Sequence, residues 1–287
     1  MILLNKSYSC RKIALCVFLL ATALLFTGCQ KSSSGSDPEP FEIQPGLVFD
    51  VVEKDNVYDI SKVLKVDIEI ADDDWNLLRY ERRSLVETMG VKCNDPLDMV
   101  YNYYPANVTV DGTDLGEVGV RKKGFLGSIS TSRPSFKIKF QHSQEEVEYE
   151  GYKRLTLNNG QQDVIRLKTC LAYTLMARAG VPASRCSLAE VNVNGESFGV
   201  YANVEPIKKD MLKRVFGDDS GTLYEGTVAD FRKGFTTKMQ KKTLEAEDDW
   251  SDVHALIDAL ELPDDELLPA LDKVLDIDAF LRFMAAE

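Results

Sequence analysis

Histidine is nearly absent: the 287 residues contain two. His142 and His254 lie far apart in sequence and lack metal-ligand spacing, so each reads as a surface or helix-face histidine. There is no Gly-x-Ser-x-Gly elbow, which leaves a Ser-His-Asp hydrolase without support. A Walker-type GxxxxGK[ST] loop is missing too, and Gly124-Phe125-Leu126-Gly127 is only a fragment of GxGxxG spacing. Positive charge is scarce, with 34 Lys and Arg against 46 Asp and Glu and a net charge of −12. Nucleic-acid binding rests on Lys and Arg neutralising phosphates, so this balance argues against a nucleic-acid partner. Acid pairs such as Asp248-Asp249 and Asp264-Asp265 fall at expected helix starts, where the helix dipole explains them without catalysis.

What is present begins with the N-terminus. Met1–Lys12 is basic, and Ile13–Phe26 is an uncharged apolar run of 14 residues. That run is too short for a comfortable membrane span and fits a signal-peptide core. It ends in Phe26-Thr27-Gly28-Cys29, which resembles a bacterial lipoprotein signal, with residues 1–28 removed and Cys29 carrying lipid. Gln30 after the Cys, in place of Asp, favours the outer membrane in a cell with two. Residues 29–45, rich in Ser, Gly, Pro and Glu, read as a flexible tether. Without the first 28 residues the chain holds 31 basic and 46 acidic residues.

Of the six cysteines, Cys10 and Cys16 leave with the signal. Cys93, Cys170 and Cys186 remain at spacings unlike a zinc motif, and at most one pair can bridge. Cys170 sits in an apolar helical pattern and is expected to be a buried small hydrophobe; a Cys93–Cys186 bridge is one arrangement the sequence allows.

Val63–Ile70 (VLKVDIEI) alternates as a half-buried strand, and Asp72-Asp73-Asp74 opens a helix toward Arg83. Ala106–Val110 and Leu115–Arg121 form a hairpin around Asp111-Gly112. Ser135–Phe140 follows as a strand with Lys137 and Lys139 opposite its apolar face. Leu155–Leu157 is extended, and Asp163–Ala179 is expected to be one helix closed by Gly180. Ser187–Val193 and Ser197–Val204 pair around Asn194-Gly195. Lys208–Phe216 is a short helix, and three more cover Trp250–Leu260, Asp264–Val274 and Asp278–Glu287. The fold class is therefore α+β, an antiparallel sheet with one packed helix followed by a helical part. The expected boundaries are 46–207 for the sheet-bearing region and 208–287 for the helical one.

In so acidic a chain the stretch Val120–Phe140 stands out: a basic strand end, a Gly-punctuated loop and a strand with two lysines. By itself it reads first as a solvated edge hairpin and only second as an anion site, since charge runs usually face solvent. Its context decides. Together with Asp67–Trp75 (DIEIADDDW), Leu155–Asn159 (LTLNN), Ala179-Gly180-Val181-Pro182-Ala183 and Val191–Pro206 (VNVNGESFGVYANVEP), it resembles the spore-coat CotH family of atypical protein kinases over roughly residues 60–287. Lys213–Phe216 and Leu223-Tyr224-Glu225 follow in the expected places. The resemblance implies a kinase-like fold in which the sheet and its helix form the smaller lobe and the helical lobe is incomplete. It implies ATP and Mg²⁺ as cofactors, with Lys137 or Lys139 as the strand lysine on the ATP phosphates. Arg121 and the loop from Gly124 to Ser130 would cover the phosphates, and Glu205 would lie at the junction where adenine binds. The Asp163–Ala179 segment carries no acid in its body, so the Lys–Glu pair of ordinary kinases lacks an evident partner. The resemblance places the catalytic Asp, its Asn and the metal-binding Asp beyond Glu287, so these residues alone are expected to bind nucleotide without transferring phosphate.

Two functions follow as expectations. One is an exported, lipid-anchored kinase that phosphorylates Ser or Thr of surface or envelope proteins. The other is a non-catalytic lipid-anchored surface protein, serving adhesion or coat and envelope assembly on the same scaffold. A carbohydrate-associated lipoprotein has only its location in favour.

Overall fold

The computed structural model describes residues 57–84, 86, 100–125, 129–143, 146–227, 229–243 and 248–287. Seven strands close into a barrel: β1 (Val63–Ile70), β2 (Tyr104–Val110), β3 (Thr113–Lys123), β4 (Ser135–Lys139), β5 (Arg154–Asn158), β6 (Cys186–Val193) and β7 (Glu196–Val204), in the order β1-β2-β3-β4-β5-β7-β6. Every adjacent pair is antiparallel except the one that closes the ring, where β1 runs parallel to β6 with Val63 opposite Leu188. The expected antiparallel sheet is thus a closed barrel with one parallel seam. Period-two alternation produces it directly: Leu64, Val66, Ile68 and Ile70 point inward from β1 and are buried, and Val63 points out and is exposed. Val108, Val120, Phe136, Ile138, Leu157, Val191 and Tyr201 fill the same interior.

Both expected hairpin turns have the left-handed backbone that their sequences announce. Asp111 and Gly112 have φ of 48° and 80°, and Asn194 and Gly195 have φ of 49° and 78°. The turn side chains then stitch the barrel. Asp111 Oδ1 accepts from the Lys65 amide at 2.7 Å, and Asn194 Oδ1 accepts from the Ile70 amide at 2.9 Å. The buried polar pair Ser187 and Asn203 donates to the Val57 carbonyl at 2.6 and 3.0 Å, which anchors the chain entering the barrel.

Helix α1 (Asp72–Tyr80) has three acids in its first turn and no side-chain cap. It packs against β2 and β3, with Trp75 against Phe136 and Phe198 at ring separations of 6.1 and 5.6 Å. Lys122, fully buried, donates from Nζ to the Arg79 carbonyl at 2.5 Å and so meets the last turn of α1 with a cation.

Helix α2 (Lys168–Arg178) lies on β6 and β7. It starts five residues later than expected from apolar spacing. Arg166 has a φ of 61°, a left-handed residue that no helix accommodates, and its guanidinium donates to the Asn159 carbonyl at 2.5 Å. Asp163 ends a separate turn and accepts from the Lys168 amide at 2.5 Å. Cys170 is buried as expected, and it is joined in a disulfide to Cys186 on β6. This corrects the Cys93–Cys186 alternative; Cys93 itself lies outside the described residues.

Past the barrel come α3 (Lys209–Phe216), the two-stranded ribbon of β8 (Tyr224–Gly226) and β9 (Met239–Lys241), and helices α4 (Ser251–Leu260), α5 (Asp264–Leu271) and α6 (Ile277–Ala286). The ribbon's second strand falls in a stretch with no sequence periodicity. Helix α6 is capped by Asp276, whose Oδ1 accepts from the Ala279 amide at 2.8 Å, and not by Asp278. Among the described residues no helix is long and apolar enough to cross a membrane.

Candidate anion site on the outer face of the barrel

Alternation that sends Val120, Lys122, Phe136 and Ile138 inward sends Arg121, Lys123 and Lys137 outward. Register then sets them side by side: Arg121 is opposite Lys137, and Lys123 is opposite Ser135, the next outward position. On the neighbouring strand Asn158 faces the same way, and its Oδ1 accepts a short hydrogen bond from Lys123 Nζ. The ribbon contributes Glu225 from β8 and Lys242 just after β9, paired at 2.7 Å. Lys208, ahead of α3, completes the surroundings of Lys137.

The electrostatics of this cluster are unfavourable as it stands. Burial first, then the charges of Arg121 and its neighbours, pulls the Lys137 ammonium down to about 8. Lys123 is pulled down to about 8 by burial and by Lys137 and Arg121. Glu225 works the other way on both lysines. Burial raises the Glu225 carboxyl, but the Lys242 hydrogen bond and the fields of Lys137 and Lys208 outweigh it and hold it below its ordinary value. Arg121 lies over the Tyr103 ring at 5.3 Å, and its buried Nε has no hydrogen-bond partner among the described residues. Three cations sharing a partly desolvated face, one with an idle donor, fit an anion.

The remaining sequence candidates fall elsewhere. Lys139 is two residues along β4, opposite Gly119 and Arg154, exposed and outside the cluster. Of the two lysines left open by sequence, the structure brings Lys137 to Arg121. Gly124 directly follows β3 with a φ of 131°, and its carbonyl accepts from the Tyr101 hydroxyl at 2.7 Å. At the far end of that loop Ser130 Oγ accepts from the Arg133 amide at 2.9 Å; residues 126–128 between lie outside the described residues.

Glu205 is buried where β7 leaves the barrel, and its carboxylate is held by two arginines. Arg185 donates to Oε1 at 2.9 Å and, through its amide, to Oε2 at 3.0 Å; Arg214 on α3 donates to Oε1 at 3.1 Å and Oε2 at 2.5 Å. The Glu205 amide is spent on the Arg185 carbonyl at 2.9 Å. Despite burial, these partners hold its carboxyl below the ordinary range. It stands at the junction of barrel and helices as a structural tie, with its side chain and amide committed to protein partners.

Sequence reasoning passed over Lys123, Asn158, Glu225 and Lys242. Lys123 was legible, since it shares its face with Arg121 by simple alternation. Glu225 and Lys242 were not, because nothing local says that the ribbon folds toward β4.

No curated protein matches the chain. The family model described as CotH kinase protein matches residues 120–287, more than half of the sequence, from the first basic strand through the last helix. On that match, the chain belongs to the CotH kinase family.

Proposed function

We propose that the protein is a kinase-like phosphotransferase that holds the phosphates of ATP on the outer face of β3 and β4, with the barrel and α2 serving as the smaller lobe. The observation that carries this reading is the crowding of Arg121, Lys123 and Lys137 on one partly dry face. Like charges held together raise each other's cost of ionisation, and a polyphosphate offsets it. Arg121 offers a planar fork with an idle Nε, and the two lysines act as point charges. ATP supplies the phosphoryl group. The described residues bring no three His, Cys, Asp or Glu side chains together in a metal-holding group, so Mg²⁺ would reach this face bound to the phosphates.

The acceptor in this proposal is a Ser or Thr hydroxyl of a surface or envelope protein. The protein itself is exported and tethered by lipid on Cys29, at the outer membrane where the cell has two. The signal-like residues 1–28 and the tether composition support that placement, and the acidic balance supports a protein partner over a nucleic acid.

Thermal unfolding with Mg²⁺-ATP tests the site. At one hundred times its dissociation constant a ligand stabilises by about 2.7 kcal/mol, a shift of several degrees. Wild type and Lys139→Met should both show it, and the Lys123→Met/Lys137→Met double variant should not. No shift at millimolar ATP sinks the nucleotide reading. Membrane partitioning tests the anchor: Cys29→Ser should release the protein, and unchanged partitioning refutes lipidation.

A further inference from the structure

Helix α2 has 11 residues, short enough that an isolated helix of its length is marginal in water, so it depends on docking. That docking is slight. Cys170 is its buried residue, set in a small cluster with Ala202 and Val204 of β7 that lies apart from the barrel core. Leu171 and Leu175 are each 58% exposed. Helix α6, which also touches α2, buries none of its own residues. The firm attachment is covalent: Cys170 is bonded to Cys186, the first residue of β6. Alternation turns Ser187 and Ala189 inward and Cys186 outward, so the bond takes no part in filling or closing the barrel. The lead into α2 also reaches the anion face. Asp163 Oδ2 accepts from the Lys168 amide, and Arg166 donates to the Asn159 carbonyl, both at 2.5 Å. Asn159 is buried and donates from its amide to Ser135 Oγ at 3.0 Å and from Nδ2 to the Arg133 carbonyl at 2.7 Å. Ser135 is opposite Lys123, and Asn158, next to Asn159 in the chain, accepts from Lys123 Nζ.

We infer that the Cys170–Cys186 disulfide is a redox latch on α2. Oxidised, it holds the helix on the barrel; reduced, it lets the helix leave while the barrel stays closed, and this loosens the Asn159–Asp163 lead that steadies the anion face. The reductant is an external dithiol. One of its thiolates attacks the Sγ of Cys186, the more exposed of the two, and the Cys170 thiolate leaves. The second thiol of the reductant then resolves the mixed disulfide and frees Cys186. Two electrons and two protons pass to the cysteines, and the dithiol becomes a disulfide. The effect on the anion face rests on the nucleotide reading above; the release of α2 does not.

The test is hydrogen exchange of the full chain, oxidised and after treatment with a dithiol, read by mass spectrometry at peptide resolution. In the oxidised protein the Leu171–Arg178 amides should be protected. In the reduced protein they should exchange within about tenfold of an unstructured peptide, while the barrel strands stay protected by at least about a thousandfold. Reduced protein that keeps α2 protected overturns the inference, and so does loss of α2 and barrel protection in one step. The Cys170→Ala/Cys186→Ala variant, untreated, should match reduced wild type and should not respond to the dithiol. A response there, or an α2 as protected as in the oxidised protein, overturns it equally; if that variant does not fold, reduced wild type decides. A second arm compares tripolyphosphate binding by the two forms, and the reduced one should bind severalfold more weakly. Equal affinity overturns the link to the anion face. Absence of binding by the oxidised form defeats the nucleotide reading, and the exchange result then decides the latch alone.

Discussion

Replacing Lys137 by Met should make the protein more stable at neutral pH, an unusual outcome for a substitution at a half-buried strand position. Met keeps the aliphatic stem packed on β3 and β5 and removes only the ammonium. That ammonium titrates near 8 in the fold against 10.5 in the open chain. Each unit of such a shift corresponds to about 1.36 kcal/mol, so holding the charge costs up to about 3 kcal/mol. Part of the group reaches water and the favourable field of Glu225 is lost with it, so about 1–2 kcal/mol is the expected gain at pH 7. The sign of the pH dependence follows from the protons. Between pH 8 and 10.5 the unfolded chain still binds the Lys137 proton and the folded one has released it, so wild-type stability rises with pH. The variant lacks this component, and its advantage should fade through that window and vanish above it. Urea unfolding at several pH values measures this, with Trp75 of α1, packed against the barrel core, and Trp250 beside the ribbon as fluorophores. A variant less stable than wild type at pH 7, or a gain that does not change with pH, refutes the account of the site as electrostatically loaded.

Removing the disulfide by Cys186→Ser should cost about 3 kcal/mol for a loop closed over 16 residues, read as a lower urea midpoint that reductant reproduces in wild type. Glu205→Gln leaves Arg185 and Arg214 without their shared carboxylate and should cost about 3–5 kcal/mol. Because the Glu205 carboxyl is held below 4.5, its contribution is complete above that pH and lost as pH falls further, so acid unfolding of wild type should show a component that the variant lacks. Gly119→Ala places a Cβ 2.6 Å from the His142 ring, and the overpacking should cost about 1–3 kcal/mol in the same unfolding assay.

Much of the barrel was legible because its strands carry the pattern locally. Val63–Ile70 alternates cleanly, and Asp-Gly and Asn-Gly fix two hairpins by backbone chemistry alone. Closure was not legible: the parallel pairing of Val63 with Leu188 spans most of the barrel's sequence and has no local signature. Helix α2 shows the opposite failure. Ile165 and Leu167 fall at the helical spacing of Cys170 and Leu171, yet they lie outside the helix because the left-handed Arg166 interrupts it and the helix begins at Lys168. The anion site was half visible. Arg121 and Lys137 share their outward face by alternation, whereas the choice of Lys137 over Lys139 needs the β3–β4 register, which sets Lys137 opposite Arg121 and Lys139 opposite Gly119.

The parallel seam between β1 and β6 also fixes what can exist as a separate piece. Until Cys186–Val193 has been made, both β1 and β5 present a bare row of amides and carbonyls, the state most open to pairing with other chains. A chain ended anywhere between the β5 strand and Val204 keeps two raw borders, β1 and β5 before β6 is made and β6 and β5 after it, and should self-associate. The smallest fragment with no exposed border runs from Val57 past Glu205, and vectorial synthesis must carry an unfinished, adhesive sheet for more than a hundred residues before the ring shuts.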